Sequence, residues 1–129
     1  MRIYSYIAKA LAVFTLSAMP FYPARAETIL IMFEEQGCPY CEQWRAEIGP
    51  IYPKTAESKI APLMIIDINA PLPEGISIMS EPIYTPTFVL VNDGEEVDRI
   101  IGYPGEDFFW GLLDRMLDQL PEENTEGRT

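Results

Sequence analysis

Two cysteines three positions apart, in Cys38-Pro39-Tyr40-Cys41, stand where an apolar run stops and helical spacing begins, and this junction restricts the fold more than any other feature of the chain. Before it, residues 28–33 read Thr-Ile-Leu-Ile-Met-Phe, a continuous apolar stretch with β-branched side chains. Such a run fits a strand buried on both faces of a sheet. After it, Trp44, Ile48 and Ile51 recur at three and four residues, with Glu42, Arg45 and Glu47 between them. That is the spacing of a helix with one apolar face, and Pro39 suits its first turn, where the missing N–H costs nothing. Pro50 and Pro53 interrupt it, so the spacing predicts a break near Gly49 and a second helical piece reaching about Lys59.

Residues 63–68, Leu-Met-Ile-Ile-Asp-Ile, read as a second buried strand. Strand, helix and strand with no hairpin turn between them imply a crossover and parallel pairing. Residues 69–81 contain Pro71, Pro73 and Gly75, with Pro82 just beyond, and are predicted to be mainly loop, with a short helical turn fitting at 76–79. A third strand at 87–91 meets Asn92-Asp93-Gly94, a hairpin turn, and a fourth strand follows at 96–101. The closing helix is predicted over 106–120. Phe109, Leu112, Leu113, Met116, Leu117 and Leu120 form its stripe, and Glu106 and Asp107 lie in its first turn, where negative charge is favoured. The order β-α-β-loop-β-β-α makes this an α/β chain whose compact solution is a central mixed β-sheet flanked by helices, which we expect on both faces.

The ends differ from this body. Arg2 and Lys9 precede an apolar stretch, and Ala24-Arg25-Ala26 puts small residues where a signal peptidase reads. Residues 1–26 are therefore predicted to be a cleaved export signal, since an apolar run near ten residues is far short of the roughly 20 that span a bilayer. Residues 27–120 form one domain, and 121–129 are expected to be a flexible acidic tail. All 20 acidic residues lie from Glu27 onward, and removal of three basic residues with the signal leaves a formal charge near −14. With no basic patch to offset it, nucleic acid and anionic membranes are excluded as partners.

The chain has two cysteines and no histidine. A bridge across so short a ring constrains the unfolded chain little, so the pair points to chemistry rather than stapling. Zinc takes about four ligands, which these residues do not supply, so no metal is expected. A thiolate at Cys38, at the start of a helix, meets unpaired backbone N–H groups and the positive helix end, which lower a thiol pKa. Cys38 is then the attacking nucleophile and Cys41, one turn further in, the resolving thiol, with Pro39 and Tyr40 setting ring geometry and protonation balance. Pro86, before a central-looking strand, reads from its neighbours as an ordinary trans strand-start residue, because cis is only about 5–6% of X-Pro bonds. Trp44 is a core residue or lines the site. Gly102-Tyr103-Pro104-Gly105 borders the active end or serves a special backbone angle.

Strand, Cys38-Pro39-Tyr40-Cys41, interrupted helix, strand, then Thr85-Pro86-Thr87 leading into a hairpin and a last helix: this arrangement resembles the thioredoxin superfamily, with a core of glutaredoxin size. The tetrad is similar to that of glutaredoxins. The stretch Glu35-Gln36-Gly37-Cys38-Pro39-Tyr40-Cys41-Glu42-Gln43-Trp44 and the export signal are more similar to the small periplasmic thioredoxin-like proteins of bacterial sulfur-oxidation clusters, the SoxS type. The resemblance implies a thioredoxin-like fold, Cys38 as nucleophile, Cys41 as resolving thiol and Pro86 as the family's cis-proline, with the backbone of Thr85 pairing with the substrate chain. It also implies a periplasmic thiol-disulfide oxidoreductase that reduces a protein disulfide, in particular on the sulfur-carrier protein of a thiosulfate-oxidising system.

Two positions depart from the family pattern. Met32 stands where thioredoxins carry a buried aspartate, and Gly37 where they carry tryptophan, so the proton of Cys41 needs another acceptor. Glu34, Glu35 and water are the candidates, while Asp67 is assigned to the sheet end. No basic cluster is present to receive the carboxylates of glutathione, and nothing resembles a nicotinamide or flavin site, so no cofactor is expected. Electrons are then supplied by another protein, a membrane electron relay, to a monomer. The competing readings are a disulfide oxidant or isomerase, a glutaredoxin-like deglutathionylating enzyme, and a non-enzymatic adaptor. Two retained cysteines argue against the last.

Overall fold

The computed structural model describes residues 27–125, and the predicted export signal and residues 126–129 lie outside them. Strand β1 is Thr28–Glu34 and helix α1 is Pro39–Glu47. A 3₁₀ turn at Tyr52–Lys54 leads to helix α2, Ala56–Ile60, and strand β2, Leu63–Asp67. Strands β3, Thr87–Asn92, and β4, Glu95–Ile101, form the hairpin, and helix α3, Glu106–Leu117, closes the domain. The interruption falls where Pro50 removes a donor: α1 ends, and Thr55 caps α2 by accepting from the Ser58 N–H at 3.2 Å.

The sheet order is β2-β1-β3-β4. The β1–β2 pair is parallel, as the crossover requires, and the other two pairs are antiparallel. Alternation along the strands splits the core in two. Leu30, Met32, Phe88 and Leu90 face a cluster that contains the buried residues of all three helices, including Trp44, Ile60, Phe109 and Leu113. Trp44 stands 5.3 Å from Phe88 and 5.8 Å from Phe109 between ring centroids, and each such pair adds about 0.5–1.5 kcal/mol to the area it buries.

The opposite face corrects an expectation. Ile31, Phe33, Val89 and Val91 are covered not by a helix but by the loop, through Leu72, Ile76 and Ile78. The loop cannot curl into a helix to do this, because Pro71, Pro73 and Gly75 interrupt it. The helical turn predicted at 76–79 is also absent. Ser77 instead lies extended beside β4, donating its N–H to the Gly94 carbonyl at 2.7 Å and accepting from Glu96 N–H at 3.1 Å. Strand β2 is likewise not doubly buried. It forms one edge of the sheet, where Leu63 and Ile66 still pack against the two clusters but Met64 and Ile65 are exposed, because no further strand pairs beyond it. Finally, the beginning of the predicted tail is structured. Glu122–Asn124 forms a 3₁₀ turn, and the buried Asn124 amide donates to Asn92 Oδ1 at 3.3 Å.

Candidate active site

Cys38 and Cys41 are joined in a disulfide at the start of α1. Cys38 is the residue that caps the helix: it is extended, and its Sγ accepts the Cys41 N–H at 3.1 Å. One of the helix's otherwise unpaired N–H groups is thereby aimed at the sulfur. Both cysteines are buried within the helix-side cluster, and Pro39 and Tyr40 between them are exposed, Tyr40 by 60%.

The partner loop arrives from β3. Because Phe33 of β1 pairs with Thr87 of β3, the residues before Thr87 emerge at the same sheet end as the β1–α1 turn. The Thr85–Pro86 peptide bond is cis, so the conformation implied by the family resemblance, and not the commoner trans form, is the one present. The Thr85 hydroxyl donates to Glu35 Oε1 at 3.4 Å, bringing the two loops together at the mouth of the site.

A cavity of about 420 Å³ opens beside the disulfide, lined by Cys38, Cys41, Glu34, Glu35, Arg45 and Asp67, among others. A hollow of about 480 Å³ between β4 and α3 contains neither cysteine. The two candidate proton acceptors differ sharply in the first cavity. Glu34 is gripped by the Arg45 guanidinium, whose Nε and Nη2 donate to its two carboxylate oxygens at 2.9 and 2.6 Å, and this pairing raises the arginine's own pKa. Glu35 is exposed and faces Thr85. Met32, fully buried, leaves the region around Cys41 without a buried carboxylate on β1. Asp67 lines the cavity and also accepts the Asn69 N–H at 2.8 Å, so it belongs both to the sheet end and to the wall of the site.

Arg45 was not singled out from the sequence, although its position four residues after Cys41 places it on the same side of α1. Trp44 takes its core role, fully buried among aromatic rings. Tyr103 also turns inward. Its hydroxyl donates to Glu47 Oε2 at 2.5 Å, tying the β4–α3 loop to the end of α1. That bond, with a second from Gln43, holds the Glu47 carboxyl below its ordinary range, whereas desolvation and Glu47 push the Tyr103 hydroxyl up. Among the described residues, no three His, Cys, Asp or Glu side chains converge to hold a metal ion.

The comparisons agree with this geometry. A family profile described as a thioredoxin-like domain matches residues 17–117. Among solved structures, the chain is similar to the periplasmic thioredoxin SoxS from Paracoccus pantotrophus in its reduced form, at 47% identity and a TM-score of 0.71, covering 72% of this chain and 98% of that one. The comparison with curated proteins found no match.

Proposed function

We propose, from the premise that this chain belongs to the thioredoxin-like domain family, that it works in the periplasm as a thiol-disulfide oxidoreductase that reduces a protein disulfide. The observation that carries this reading is the Cys38–Cys41 disulfide at the head of α1, at the same sheet end as the cis Thr85–Pro86 bond.

The chemistry runs in two exchanges. In the reduced protein, Cys38 carries the thiolate, favoured by the Cys41 N–H and the positive helix end. It attacks one sulfur of the substrate disulfide, forming a mixed disulfide and releasing the other sulfur as a thiolate, which takes up a proton. Cys41 then gives up its proton and attacks Cys38 Sγ. The Cys38–Cys41 bond forms, the second substrate thiol leaves, and two electrons have passed to the substrate. The bonded pair in the structure is the product of this half-reaction. Pro39 and Tyr40 shape the ring, and Thr85 and Pro86 receive the substrate backbone.

For the proton of Cys41 we assign Glu35, acting through water in the shared cavity, in preference to Glu34, whose oxygens are occupied by Arg45. A membrane electron relay restores the dithiol, and the partner is the sulfur-carrier protein of a thiosulfate-oxidising system. The likeness to a periplasmic SoxS supports this location and setting. Residues 1–26 serve as the export signal.

Trapping tests the proposal. With Cys41→Ser expressed in its exporting host, the carrier protein is expected as a mixed disulfide through Cys38, on a chain whose intact mass begins at Glu27. If nothing is trapped, and the unaltered protein leaves both insulin and small disulfides untouched, the enzymatic reading fails.

A further inference from the structure

An irregularity in β4 places two charged side chains together where a regular strand would separate them. Side chains alternate along a strand, so residues three apart face opposite sides. In the β3–β4 ladder, Leu90 pairs with Asp98 but Val91 pairs with Glu96, which leaves Val97 as an extra residue, a β-bulge. Arg99, opposite Val89, and Glu96, opposite Val91, therefore share the face that the loop covers. They form an ion pair in which Arg99 Nε and Nη2 both donate to the Glu96 carboxylate at 2.6 Å, and the Glu96 side chain is only 2% exposed.

This pair holds backbone. Glu96 Oε2 accepts the Met79 N–H at 2.7 Å, and Arg99 Nη2 donates to the Ser80 carbonyl at 3.0 Å. Four residues later the Tyr84 carbonyl accepts from the buried Thr87 hydroxyl at 2.6 Å. The segment between these anchors is a short arch that ends on Thr85–Pro86. It carries Ile83, 82% exposed, and Tyr84, 66% exposed, and nothing in the domain packs against them heavily enough to account for two large apolar groups in water.

We propose that Glu96 and Arg99 are positioning residues for the substrate site: by pinning Met79 and Ser80 they fix the arch so that Ile83 and Tyr84 meet an apolar side chain beside the cysteine of a protein substrate. The proposal rests on the oxidoreductase reading above and adds a basis for preferring protein disulfides to small ones. Small disulfides need only the cysteine pair, whereas a polypeptide must also lie along the arch. The occupant is thus an extended segment with an apolar residue near its disulfide, continuous with the site at Thr85.

The test compares insulin with 5,5′-dithiobis(2-nitrobenzoate) as substrates of the reduced full chain. Arg99→Ala is expected to raise KM for insulin by about fivefold or more, with kcat changed by less than about twofold and the rate with the small disulfide unaltered. Ile83→Ala, a surface change that leaves the clamp intact, should raise KM similarly, and in that background Arg99→Ala should add little, because the clamp acts through the residue already lost. Arg99→Lys keeps the charge but loses the fork, and should fall between. It carries the comparison if the alanine variant does not fold. The proposal is overturned if KM for insulin is unchanged in the folded variants, if both substrates slow equally, or if the two alanine changes add in full. An unaltered protein that reduces neither substrate overturns the oxidoreductase reading itself, and this proposal with it.

Discussion

Met32 and Cys41 share one apolar cluster, and that neighbourhood sets the residue-scale problem of the reaction. An apolar surrounding disfavours the charged form of a thiol, so Cys41 keeps its proton until an acceptor takes it. The fork between Arg45 and Glu34 is partly exposed, worth no more than about 1 kcal/mol to stability, but it occupies both Glu34 carboxylate oxygens. Glu35→Gln is therefore expected to slow the single-turnover release of the second substrate thiol, the one that leaves when Cys41 attacks, by a factor of about ten or more at pH 7. The loss should shrink towards pH 9 as hydroxide takes over, while Glu34→Gln should change the rate less. Stopped-flow measurements from pH 6 to 9 check this, and equal rates for all three proteins would remove the carboxylates from the step. The nucleophile and its partner were legible in the sequence because their roles follow from a spacing of three at a strand–helix junction. The Glu34–Arg45 fork was not, because a contact eleven residues apart depends on how α1 lies against the end of β1.

Among the elements, the β3–β4 hairpin has the most consequence for the site, since its turn and bulge together place the loop. Asp93 and Gly94 have φ of 51° and 81°, the left-handed pair that a two-residue turn between twisted strands demands. A Cβ on Gly94 would stand 2.4 Å from the Gly75 carbonyl oxygen, so the turn and the loop fit only with glycine here. Gly94→Ala is expected to destabilise the domain by more than about 1 kcal/mol, combining backbone strain with displacement of the loop. Urea unfolding read by circular dichroism checks it, and an unchanged midpoint would show that the loop yields freely. Element types and ends were readable to within a residue or two along the strands. The layer each element joined was not: β2 has the composition of an interior strand, yet it lies at the edge.

At the scale of the whole molecule, one sheet separates a face covered by helices from a face covered by a clamped loop. Acid should weaken the second in a definite way. Burial raises the Glu96 carboxyl pKa, but the Arg99 hydrogen bonds, the Met79 N–H and the guanidinium charge outweigh it and hold the group below the ordinary value of 4.5. A carboxyl depressed in the folded state contributes stability above its unfolded pKa, and that contribution is lost as pH falls through the folded one. The formal charge of −11 acts in the opposite direction, because protonating other carboxylates relieves repulsion. The informative quantity is therefore the difference in Tm between the unaltered protein and Glu96→Gln. It should be constant from pH 7 to about 5 and narrow as pH falls below 4.5. A difference that does not change with pH would show that Glu96 contributes packing alone.

What the sequence by itself determined are the features written in short-range patterns. The run of apolar residues made β1, the spacing of three and four made α3, Asn92-Asp93-Gly94 made the turn, and the cysteine pair at the junction supplied the chemistry. Only the tertiary structure decided which strand became an edge, that a loop rather than a helix closed the second face, and that Glu34 went to Arg45. The same is true of Glu96 and Arg99, which a single extra residue in β4 turns to one side. The physical reason is common to all of these. Periodicity reports how a segment presents itself to a core, but the partner it meets there is chosen by long-range pairing and by competition for the same buried surface.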